Sequence, residues 1–67
     1  MKKELLEALK KHAEGQIAKH KANVLVYLNQ PVGIGEHPDV MEAVEEQIGL
    51  IAKYDDHLEV LHKYFSE

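Results

Sequence analysis

Glu59-Val60-Leu61-His62 has the Glu-x-x-His spacing with which carboxylate-bridged di-metal bundles present two ligands from one helix face, and Asp55 lies one turn earlier on nearly the same face. On a helix packed antiparallel to this one, His12 is the expected neighbour of that group, and Glu4 or Glu7 falls within range of His62. A symmetric dimer would supply the set twice, so a metal centre built from His12, Asp55, Glu59 and His62 is one chemistry this chain could carry. Three features weigh against it. The motif is a four-residue pattern in an acidic helix, it lies close to the C-terminus, and no Glu of the N-terminal half points clearly toward a core. The favoured reading is therefore a hydrogen-bonded polar layer that fixes helix register, with Asp55 accepting from His12 or another nearby donor, with no metal and with no cofactor.

The remaining polar motifs read in the same structural sense. Gly33-Ile34-Gly35 before a helix has the outline of a phosphate-cradling loop, but no strand precedes it and no third glycine or Lys-Ser/Thr follows. Glu36 and Asp39 would also repel an anion from the helix start. His20 is expected to pair with Gln47 as a satisfied core couple. Ser66 is the only hydroxyl nucleophile besides the tyrosines, and no base stands in a pattern to activate it, so no catalytic residue is assigned.

These side chains must be held by helices. Residues 29–39, Asn-Gln-Pro-Val-Gly-Ile-Gly-Glu-His-Pro-Asp, contain both prolines and two of the four glycines and form the only break in the chain. Pro31 disfavours the α conformation at Gln30, and Pro38 suits the first position of a new helix, with His37 as its cap and Asp39 favoured by the helix dipole. Gly33 and Gly35 would supply positive φ so that Val32 and Ile34 fold back over the end of the bundle. Elsewhere Ala, Leu, Glu, Lys and Gln predominate. The spacing predicts one domain over residues 1–67, with a helix over about 2–29, a loop over about 30–37 and a helix over about 38–65, each helix roughly 42 Å long.

The first helix carries one apolar stripe through Leu6, Leu9, Ala13, Ile17, Val24 and Leu28, with His20 inside it. The second carries two. Met41, Val44, Ile48, Ile51, Leu58 and Phe65 form a heptad seam, and Ala43, Gln47, Leu50, Tyr54, His57, Leu61 and Tyr64 form a second one beside it. Two seams make an arc too wide for a single antiparallel neighbour, so an all-α hairpin is expected to complete itself as a four-helix homodimer, with Leu50, Tyr54, Leu61 and Tyr64 as interface residues. If facing residues have numbers adding to about 67, His20 meets Gln47, His12 meets Asp55, Leu9 meets Leu58, Gly15 meets Ala52 and Ala18 meets Gly49. The last two pairs suggest close backbone approach at the waist, the alternative being that both glycines lie on the outer flank.

Composition narrows the function classes. Sixty-seven residues with no cysteine cannot lean on disulfides, and a chain this short buries only about 60% of its unfolded surface. Eight Lys and no Arg against twelve acids give a net charge of −4, which speaks against a dedicated nucleic-acid binder. The charge is unevenly divided. Residues 1–30 hold six Lys and three Glu, and residues 31–67 hold two Lys and nine acids, so the halves carry +3 and −7. No apolar run approaches the length of a membrane span, and Glu4 and Glu7 interrupt what would be a signal sequence, so a cytoplasmic setting without membrane contact is expected.

Residues 23–39, Asn-Val-Leu-Val-Tyr-Leu-Asn-Gln-Pro-Val-Gly-Ile-Gly-Glu-His-Pro-Asp, followed by an acidic amphipathic helix, resemble small uncharacterised proteins of tailed phages of marine bacteria, cyanophages in particular. The resemblance covers about residues 12–65 and is most specific at Pro31, Gly33, Gly35, Glu36 and His37. It implies a phage product made in a bacterial cytoplasm and carries over no activity. The expectation is thus a non-enzymatic, self-associating helical hairpin acting through protein contacts, in phage assembly or in binding a host protein. A metal-binding bundle, or an acidic decoy for a basic protein, are the alternatives.

Overall fold

The computed structural model describes residues 2–29 and 37–66, with the side chains of 37–39 left aside. Two helices account for nearly all of them: α1, Lys2–Leu28, and α2, His37–Phe65. Both ends of the break fall within a residue of where the prolines and Asn29 place them. At the end of α1 the Asn29 amide N–H is shared between the carbonyls of Leu25 (3.1 Å) and Val26 (3.3 Å), and its side-chain Nδ2 donates to the Leu25 carbonyl at 2.7 Å. The last carbonyls of α1 thus find donors in one Asn rather than in a basic side chain. α2 begins one residue earlier than expected. His37 is consequently helical rather than the capping residue, and Pro38 still lies in the first turn, where a missing N–H leaves no bond broken. Pro31, Gly33 and Gly35 lie outside the described residues, and so does the expected folding-back of Val32 and Ile34.

At the other end of α2, His62 and Lys63 place basic groups in the last turn, where the helix dipole favours them. The Ser66 hydroxyl donates to the carbonyl of His62, so the hydroxyl considered as a nucleophile is a local end-cap.

The helices pack antiparallel. His12 of α1 meets Tyr54 of α2, while His20 and Asn23, further along α1, meet Gln47, earlier on α2. The hairpin measures 52 × 15 × 11 Å, a slab one helix thick. A slab of that thickness has two open faces, and burial is correspondingly slight: among the described residues only Ala13 (1% exposed) and His20 (6%) are buried. No helix among the described residues is long and apolar enough to cross a membrane.

Gly15 and Gly49 do not mark a close approach of the two backbones. A Cβ at either would meet nothing within 4 Å, and both residues are exposed, on the outer flanks of the hairpin. Height along the axis pairs them with Ala52 and Ala18, but azimuth does not. Gly15 lies five residues before the seam residue His20, about 140° round the helix, and Gly49 lies two residues past Gln47, about 200° round.

Candidate functional site: a polar layer between the helices and an open apolar face

The seam of α1 follows the heptad Leu6, Ala13, His20 and Tyr27, and the seam of α2 follows Val40, Gln47, Tyr54 and Leu61. Gln47 Oε1 accepts two hydrogen bonds from α1, from His20 Nδ1–H at 2.6 Å and from Asn23 Nδ2 at 3.0 Å. An amide oxygen can only accept, so this bond places a proton on His20 Nδ1 and fixes the tautomer of a buried imidazole. The expected His20 and Gln47 pair is therefore present. Asn23 joins it because it sits three residues after His20 on the same helix face, a spacing visible in the sequence but not used to predict it.

Tyr54 is the centre of a second group. Its ring lies parallel to that of His20 (centroids 6.3 Å apart, 13° between planes) and edge-on to His12 (5.8 Å, 76°) and His57 (5.2 Å, 68°), with Lys53 Nζ 5.2 Å from its centroid. His12 thus stands against Tyr54, and not against Asp55 as expected. Side chains of a helix lean toward its N-terminus, which sets the Tyr54 ring about opposite residue 16, midway between His12 and His20. Asp55 is one position further on, about 100° away from that seam, and is exposed.

The other residues of the proposed metal set disperse in the same way. His12, Asp55, Glu59 and His62 are all exposed, and among the described residues no three His, Asp or Glu side chains come together in a group able to hold a metal ion. The polar layer commits its imidazole Nδ1 to an amide oxygen. What it does chemically is satisfy buried polar atoms in one register only, and no buried side-chain nitrogen or oxygen among the described residues lacks a partner.

Heptad geometry divides the rest of the slab into two unlike faces. In an antiparallel pair, the columns of Ile17 and Val24 on α1 and of Val44, Ile51 and Leu58 on α2 fall on the same side. That side is apolar and half-buried, and it is extended by Ile48 (55% exposed) and Met41 (70%). At the open end of the hairpin an open groove of about 870 Å³, lined by Leu6, Lys10, Leu58, Leu61, His62 and Phe65 among others, continues it. The opposite side is mixed: it carries Gln16, Asn23, His12 and His57, and with them Leu5, Leu9, Val26, Leu50, Val60 and Tyr64.

Of the residues expected at an interface, Leu61 is half-buried in the seam, whereas Leu50 (half-buried) and Tyr64 (65% exposed, with Lys63 Nζ 5.3 Å from its ring) share a column on the side opposite Ile48. Tyr54 already has partners within its own chain. Charged groups gather on the outer flanks, where Lys11 lies 3.8 Å from both Glu7 and Glu14; such exposed pairs contribute little.

The fold and site together define an antiparallel helical hairpin with a polar register layer and two open faces, one of them more continuously apolar than the other. No family model, curated protein or solved structure matches this chain.

Proposed function

We propose that this hairpin acts by association: two copies join through their apolar faces into a four-helix bundle, which works through contacts with another protein and without catalysis. The observation that carries this reading is the accessible surface of 5507 Å², against about 4300 Å² for a compact folded chain of this mass. Large apolar side chains stand in the open, Met41 70% and Ile48 55% exposed, and Ala13 is the only buried apolar residue among those described. A compact pair of twice 7.6 kDa would have about 7100 Å² of surface, so pairing would bury about 3900 Å² in all, within the range of obligate homodimers.

The resemblance of residues 12–65 to small phage proteins supports a bacterial cytoplasmic setting, with the further partner a phage component during assembly or a host protein. Sedimentation equilibrium at micromolar concentration tests the association. The expected mass is at least twice 7.6 kDa, and a single species of 7.6 kDa would refute the reading.

A further inference from the structure

Self-association leaves open how one hairpin lies on the other. Resting on the association reading above, we infer that the occupant of the apolar face is a second copy related by a two-fold axis parallel to the helices, so that α1 of each copy packs on α2 of the other. Both hairpin turns then lie at the same end of the bundle.

Two arrangements can stack the same face on itself. An axis across the slab places α1 on α1 and α2 on α2, with the turns at opposite ends. An axis along the slab places each α1 on the partner's α2, antiparallel, with the heights of residues along the axis unchanged.

Charge decides between them. α1 holds six Lys and three Glu, whereas α2 holds two Lys and seven acids. The crosswise axis would set the basic helix on its twin and the acidic helix on its twin; the lengthwise axis sets each against its opposite. On the apolar side itself Lys10 occupies the column of Ile17 and Val24, and Lys21 that of Leu28, which also holds Glu7 and Glu14, each 3.8 Å from Lys11; on α2 Asp55 follows Ile48 and Glu59 lies beside it. With heights conserved, Lys10 comes level with the stretch between the partner's Asp55 and Glu59, and Lys21 level with the partner's Glu45. Like-charge juxtaposition at such an interface disfavours the wrong register more than each single pair strengthens the right one.

The chain has no cysteine, so one introduced thiol can be labelled without background. Asn29→Cys, at the exposed end of α1, is spin-labelled and the distance between labels in the dimer is measured. Helices packed about 10 Å apart put the two label sites of a lengthwise dimer under about 30 Å from each other. A crosswise dimer separates them by the helix length, about 40 Å or more.

The face is tested on its own by sedimentation. Ile48→Lys, on the apolar side, should weaken the dimer by at least about a hundredfold, whereas Leu9→Lys, similarly exposed but in the column of Gln16 and Asn23, should leave it within about tenfold. A dimer with labels at 40 Å or beyond overturns the orientation while keeping self-association. A dimer sensitive to Leu9→Lys and not to Ile48→Lys overturns the face. An unmodified chain that sediments as a monomer overturns the underlying reading itself. The label measurement uses an otherwise unaltered interface, so it stands even where Ile48→Lys fails to fold.

Discussion

His20 is the residue on which the hairpin's register turns. An imidazole 6% exposed is stable there only because Gln47 Oε1 accepts its Nδ1 proton, and Asn23 holds the same oxygen from the other side. Gln47→Leu removes the acceptor and leaves a buried donor unsatisfied, and is expected to lower the unfolding free energy by about 1–3 kcal/mol in chemical denaturation. Gln47→Glu keeps an oxygen in place and should lose less. Equal losses in the two variants would mean that packing volume, and not the hydrogen bond, is what Gln47 contributes.

The His20 and Gln47 pair was legible in the sequence because both residues lie at the centres of their heptad seams, where height alone determines the partner. The Tyr54 cluster was not, because a long side chain reaches a turn away from its own Cα, and seam arithmetic tracks only Cα positions. His12 was assigned to Asp55 because height alone was counted, whereas Asp55 lies about 100° round the helix from the seam.

At the scale of the elements, the two helices were legible almost to the residue, since Pro31, Pro38 and Asn29 punctuate an otherwise helix-favouring chain. The placement of the glycines was not. Pairing by height put Gly15 against Ala52, but a helix face is set by angle, and the angle turns both glycines outward. Neither helical glycine has a positive φ, and neither touches a neighbour across the hairpin, so each only weakens its helix. Gly15→Ala and Gly49→Ala are therefore expected to stabilise the protein by about 0.5–1 kcal/mol apiece, read from the shift in urea midpoint at unchanged slope. A loss of stability at either position would show that a further helix packs against that outer flank.

For the molecule as a whole, the sequence showed that α2 has more apolar surface than one neighbour can cover, and the slab geometry shows where that surface lies. The central columns of α2 are used on α1, through Gln47 and Tyr54, and the Ile48 and Ile51 side is left open, as is the less continuously apolar side of Leu50 and Tyr64. What the sequence could not specify was which of two adjacent seams faces inward, because they differ by a single residue, about 100° of rotation, and both are apolar enough to serve.

With only Ala13 and His20 buried among the described residues, the single hairpin has little interior to sustain a cooperative transition, so on the association reading folding and association should be a single event. Thermal unfolding followed by circular dichroism over protein concentrations from about 1 to about 100 μM tests this most directly. The account predicts one cooperative transition whose midpoint rises steadily with concentration. A sharp transition with the same midpoint at every concentration would mean that the single hairpin is the complete folded unit, and would contradict it.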